Sequence, residues 1–325
     1  MITNYPFRYF SLFIIVVFVI SSCKKDVLTP ASSNKIEVAT TASLNKITFV
    51  NERTGYIVGG IRYEQADLLM TQDGGATWKV FNITDADGKE VYGLARFNER
   101  TYAAGFDGKI FVKSAPEAEW RYVQSNWWEW FQDIQFVTAN KGFVVAGINY
   151  RNGRIFQVDS LGNINKVDSF DFELTALQFA DNLTGYSCGF GAVLKTTNGG
   201  DEWLQQNLKG DYFKAISCVD ALNVWIVGYN GTIVHTADGG ENWQKQRNGD
   251  NPTLKKYRLR AVHFKDIHTG YAAGDKGLVL KTTDGGEHWS EFSHFTDNDL
   301  HGLTFHPDGS MWVVGDNGSI FRIVE

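Results

Sequence analysis

Short apolar runs separated by polar, glycine-bearing turns follow one another along most of the chain, and the same order of runs returns about every forty residues. The pattern is most complete in "LRAVHFKDIHTGYAAGDKGLVLKTTDGGEHW", Leu259 to Trp289, and related units begin near Leu44, Val91, Phe131, Leu174, Phe213 and Leu300. Each unit has a first run that mostly ends in an aromatic residue or cysteine (Phe49, Phe136, Phe179, Cys218, Phe264, Phe305). A second run such as "VWIVG", a third such as "LVLKT" and a fourth that begins at a tryptophan follow. Four strands in about forty residues is the arithmetic of a propeller blade. The runs are continuous and not alternating because stacked blades bury both faces of the inner strands. The pattern predicts an all-β fold, a seven-bladed β-propeller of four-stranded blades over 34–325. The last unit stops after its third strand, at "GSIFRIVE", while "NKIEVATT" (Asn34 to Thr41) precedes the first complete unit. This N-terminal strand is expected to complete the seventh blade and leave no open edge.

Ahead of the repeats the pattern changes. An apolar run from Phe10 to Ile20 is followed by Ser21, Ser22 and Cys23. That is the order of a secretory signal peptide, 1–22, too short for a firm membrane span. The ending "ISSC" resembles the bacterial lipobox, which implies lipidation of Cys23, with 23–33 as a polar tether. The resemblance places the domain in the cell envelope, lipid-anchored, at the outer membrane, periplasmic or surface-exposed.

Composition narrows the class of function. The 325 residues are 43% hydrophobic, with 33 Gly against 5 Pro, as tight turns between strands require. A formal charge of −6 offers no general attraction to nucleic acid. Cys188 and Cys218 each lie within an apolar run, where a buried thiol and a disulfide are both open readings.

One octapeptide looks like chemistry. "TTDGGEHW" (282–289) holds an aspartate, a glutamate and a histidine, but "TQDGGATW" (71–78), "TTNGGDEW" (196–203) and "TADGGENW" (236–243) share its frame. Thr77, Glu202, Asn242 and His288 interchange at one position, which a catalytic role would forbid. Asp73, Asn198, Asp238 and Asp284 read as turn residues whose oxygens take backbone amides, with glycines at φ > 0 and the tryptophan packed beneath. These copies resemble the Asp-box. The whole unit is similar to the repeat of the photosystem II stability and assembly factor family, over about residues 34–325. That resemblance implies a seven-bladed, non-catalytic propeller with a binding or scaffolding function. The photosynthetic members use an arginine-rich patch, and no comparable cluster is evident along this chain. Sialidases also carry Asp-boxes, but their Arg-Ile-Pro segment is absent, since Phe156 follows Arg154-Ile155. No HExxH, GxSxG or P-loop is present. No metal or cofactor is expected, and an acid/base pair of Glu129 with Asp133 is the minor, glycosidase alternative.

Binding is expected on the face opposite the Asp-box turns, where the links between blades meet the turns between second and third strands. Trp127, Trp128 and Trp130 in "NWWEWFQD" either stack on a glycan or protein partner, or fill the gap between blades. A basic link, 244–260, contains Lys255, Lys256, Arg258 and Arg260, suited to an acidic partner, to lipid headgroups or merely to solvent. Superposing the units places Asn45, Gln132, Thr175, Lys214, Arg260 and His301 around one mouth of the central channel. Tyr63, Tyr150 and Arg151 lie in long second turns on that face. The expected partner is a protein held by a scaffold, with glycan binding as the rival.

Overall fold

A computed structural model describes residues 27–83, 88–208 and 210–325; the signal segment 1–22 and Cys23 lie outside them. The described residues form seven sheets in a closed ring, antiparallel but for one short strand added to blade six. The inner strands are Ser43–Phe49, Val91–Phe97, Phe131–Thr138, Leu174–Phe179, Phe213–Cys218, Leu259–Phe264 and Leu300–Phe305, which number the blades one to seven. The only helices among the described residues are three single-turn 3-10 segments, Phe106–Gly108, Tyr229–Gly231 and Asp275–Gly277. No described helix is long and apolar enough to cross a membrane.

The recurring aromatic positions are the contacts between blades. The second strands bury Tyr56, Tyr102, Phe143, Tyr186, Trp225, Tyr271 and Trp312 almost completely. Five of these rings meet the aromatic that ends the next blade's inner strand. Tyr102 stacks on Phe136 at 3.8 Å, Phe143 on Phe179 at 5.3 Å and Trp225 on Phe264 at 3.7 Å. Tyr271 tilts against Phe305 at 4.9 Å, and Trp312 of blade seven meets Phe49 of blade one edge-on at 5.1 Å, which closes the ring. Blade five offers Cys218 in place of an aromatic, packed with Cys188 and Tyr186 in one cluster, and both thiols are free. Each such buried side chain stabilises by about 1.5–3 kcal/mol, so the repeat is above all an interblade code.

Blade seven is completed from the N-terminus, two residues earlier than the pattern suggests. The strand is Ser32–Lys35, antiparallel to Ser319–Val324, and not Asn34–Thr41. Ile36 and Val38, the apolar residues that betray the segment, pack beyond the strand against the cluster between blades seven and one. Val27–Leu28 makes a further short strand, parallel to the outer strand Ser290–Phe292 of blade six. Leu28 joins the cluster between blades six and seven. The segment 23–33, expected as a tether, is therefore engaged from Val27 onward.

Candidate functional site: the channel mouth

Each of the four Asp-boxes closes the same hydrogen-bonded turn within its own blade. In blade six Thr282 Oγ1 donates to Asp284 Oδ1 (2.8 Å) and accepts from Gly286 N (2.8 Å), while His288 N donates to Asp284 Oδ1 (3.0 Å). Asp73, Asn198 and Asp238 accept the corresponding amides of Thr77, Glu202 and Asn242 at 2.9, 3.1 and 2.9 Å. Trp289 packs edge-on against Phe264 of its own blade, and Trp203 does so against Phe179. Blade three has a fifth turn of this kind, unmarked by tryptophan, in which Asp159 Oδ1 takes Leu161 N and Asn163 N. Asp284, Glu287 and His288 bring three ligand-type atoms within 4.8 Å on an exposed turn. Asp284 already spends its oxygens on the turn and on His288 Nδ1 at 2.7 Å.

At the other end, every inner strand is irregular at the same place. The pairing register skips Asn45, Tyr92, Gln132, Thr175, Lys214, Arg260 and His301, one per blade. A bulge leaves its extra residue out of the ladder and re-aims the side chain. All seven line a single cavity of about 630 Å³. Six of them are those expected from superposing the repeats. Tyr92 completes the ring, and the triplet Val91-Tyr92-Gly93 carries the same signal as its six counterparts. Beneath the ring the channel continues as a cavity of about 370 Å³ bordered by Arg96, Asp133, Gln178 and His263.

The mouth is held in two tiers. Its surface carries Lys46, Arg62, Lys214, Arg258 and Arg260 against the carboxylates of Glu90 and Glu173. Behind the cations stand other acids. Arg260 Nε and Nη2 reach Asp275 (2.6 Å) and Asp299 (3.1 Å), Lys46 reaches Asp133 (3.2 Å), and His301 Nε2 meets Asp316 (2.8 Å). Such pairs fix the cations in place while leaving donors that face the cavity. Aromatic rings wall it on two sides. Arg62 lies over Trp130 at 4.5 Å, and Arg258 over Tyr229 at 4.3 Å. Tyr92 donates to Glu90 (2.9 Å) and Tyr212 to Glu173 (2.7 Å); burial, then those carboxylates, hold both phenols protonated. Lys214, over the Tyr212 ring at 4.6 Å, is lowered to about 8, by burial first and by Arg260 and Arg258 as well, with Glu173 opposing.

The three tryptophans separate. Trp130 lines the mouth. Trp127 packs between blades two and three, with its ring 5.3 Å from Phe156, and Trp128 is 70% exposed. Tyr63 packs on Phe106 and Tyr150 on Phe190 and Tyr212, both partly exposed beside the cavity, while Arg151 is solvated. The basic link divides likewise. Arg258 and Arg260 turn into the mouth, Lys255 turns out to Glu291 on the outer strand of blade six, and Lys256 is exposed. Arg62 belongs with Arg258 and Arg260, although nearly two hundred residues separate them. Glu129 is taken by Arg154, and Asp133 is buried with Lys46, so each is engaged separately.

A closed ring of seven four-stranded blades, with Asp-box turns at one end and a polar, cation-lined mouth at the other, defines an Asp-box propeller. Residues 209–296, from just before blade five to the end of blade six, match the family described as photosynthesis system II assembly factor YCF48. The chain superposes on a structure of YCF48 bound to D1 peptide with a TM-score of 0.73 at 17% identity, covering 92% of this chain and 97% of that one. It superposes on YCF48 from Cyanidioschyzon merolae with a TM-score of 0.71 at 16% identity, covering 90% and 99%. The likeness to the solved structures is one of fold, a seven-bladed propeller, and the likeness to the photosystem II assembly factor family is one of blades five and six. A streptogramin B lyase shares the architecture with a TM-score of 0.72 at 14% identity, covering 90% and 97%. No curated protein sequence matches the chain.

Proposed function

We propose that this chain is a non-catalytic scaffold, lipid-anchored through Cys23 in the cell envelope, that holds an acidic segment of a protein partner in the channel mouth. The observation that carries the reading is the cavity surface, where five cations and two carboxylates face the space while the acids that pair with Lys46, Arg258 and Arg260 stand behind them. Electrostatic complementarity of this kind steers an acidic ligand and fixes its register. The family likeness supports a protein partner, since one of the similar structures is of YCF48 bound to a peptide. The lyase shows that the architecture alone does not decide catalysis. The non-catalytic reading rests on the two candidate carboxylates, Glu129 and Asp133, each engaged by its own cation.

Titration of the folded protein with a fluorescent oligo-glutamate peptide tests the reading. Binding that weakens as salt rises is expected, with a loss of about tenfold or more in Arg258→Ala or Arg260→Ala. Oligo-glutamine serves as the neutral probe, and equal affinity for both peptides overturns the proposal. A glycan panel run beside them, with Trp128→Ala as the variant, tests whether the exposed indole serves a sugar instead.

A further inference from the structure

We infer that the docked N-terminal strand decides which face of the propeller meets the membrane: the Asp-box face is turned toward it, and the mouth opens away from it. The inference rests on the anchoring proposed above and goes beyond it. Outer strands run from the Asp-box turn to the link that enters the next blade's mouth. In blade six, Ser290–Phe292 follows the turn of Asp284 and precedes the inner strand that carries His301. Val27 and Leu28 pair with Glu291 and Phe292 in parallel, so they run in the same direction. The next strand repeats the sense, since Ser32 pairs with Val324 and Lys35 with Phe321. Two successive strands therefore rise from the Asp-box end to the mouth end, and Val27, the first described residue, stands toward the Asp-box end of blade six.

The distance is short. Cys23 precedes Val27 by four residues, which span at most roughly 14 Å when fully extended. Leu28 is held by the apolar cluster between blades six and seven and by Ser293 N donating to its carbonyl at 2.7 Å, so the departure point is part of the ring. A leader this short, fixed at one end of the ring, is unable to carry the anchor around to the mouth. The mouth then addresses the aqueous compartment, and its partner is a soluble protein or a segment reaching in from solution.

The test uses the full chain expressed with its leader and placed in vesicles of phosphatidylethanolamine and phosphatidylglycerol. Reporter dyes go on Ile267→Cys, on the Asp-box face of blade six, or on Lys276→Cys, on the mouth face of the same blade. Energy transfer to an acceptor on the lipid headgroups is expected to be several-fold stronger from position 267. Equal transfer from the two positions, or stronger transfer from 276, overturns the orientation. A mass measurement showing Cys23 unmodified, or Cys23→Ser remaining with the vesicles, sinks the anchoring reading and the orientation with it. Leu28→Asp, checked for an unchanged thermal melt, is expected to abolish the difference between the reporters. A difference that survives undocking shows that the strand does not set the orientation.

Discussion

At the Asp-box end of blades one, four, five and six the repeat keeps its side chains: a threonine, an aspartate or asparagine, two glycines and a tryptophan. At the mouth end it keeps a backbone irregularity and the glycine facing it near the end of the second strand (Gly59, Gly105, Gly147, Gly189, Gly228, Gly274, Gly315), but no fixed side chain. All seven inner strands bulge at one position, and the residue raised there differs each time, from Asn45 through Tyr92 and Lys214 to His301. Where the side chains themselves satisfy the turn, they cannot vary without cost. Where the backbone alone builds the feature, the side chain is free to be used. Repetition of side chains therefore marks architecture, and repetition of geometry with changing side chains marks the place where a partner is read.

The sharpest way to break that distinction is at the second glycine of the box. Gly75 has φ +88°, and a Cβ there would lie 2.3 Å from Trp312 of blade seven. Gly75→Ala combines a left-handed backbone with overpacking and is expected to cost about 2–5 kcal/mol in urea unfolding. Gly309 has nearly the same φ, +89°, with nothing within 4 Å. Gly309→Ala should therefore cost only the backbone part, about 1–2 kcal/mol. Equal losses at the two sites would show that the box is not an interblade contact.

The fold was legible because its signals are local and repeated: the terminal aromatic of each inner strand, the box and the forty-residue period. Six members of the mouth ring were legible for the same reason. The second tier was not. Asp275 and Asp316 follow the glycine that ends a second strand, where other blades carry Phe106, Phe190 and Tyr229, and Asp299 precedes an inner strand, where blade five carries Tyr212, so the acids follow no shared side-chain pattern. Arg62 joins Arg258 and Arg260 only when the ring closes. The strand Val27–Leu28 is too short to show any alternation, and Ser32–Lys35 is polar throughout, so the closing segment revealed itself through Ile36 and Val38 beyond its end.

A smaller effect is expected from Asp284→Ala, which strips the turn of its acceptor and should lower stability by ~1–2 kcal/mol while leaving oligo-glutamate affinity unchanged. Acid provides the same test without mutation. Partial burial opposes ionisation of Asp284, but hydrogen bonds from His288 and Thr282 bring its carboxyl down to about 2. Asp238 also stands at about 2, through Asn242 and Thr236. An unfolded aspartate titrates near ~3.9, so the contribution of these turns is complete above that pH and is lost as pH falls toward about 2. Unfolding followed at stepped pH should show Asp284→Ala losing less stability than the parent across that window.

Lys214 gives the finest test, because at the mouth stability and binding should move in opposite directions. Its ammonium titrates at about 8 in the folded protein, against ~10.4 for an unfolded lysine. Below about 8 both states are protonated, and the folded chain bears the full cost of a desolvated charge. Above that value the unfolded chain binds more protons than the folded one, so stability rises with pH. In the same window the cavity loses one of its five cations, and affinity for oligo-glutamate should fall. Lys214→Arg keeps the charge at all working pH values and should flatten both curves. Lys214→Gln should also flatten both, at a lower affinity. A wild-type affinity that stays constant through pH 8 while stability rises would place the peptide elsewhere than over Lys214, and the mouth would have to be read as hydrated structure, like the turns at its opposite end.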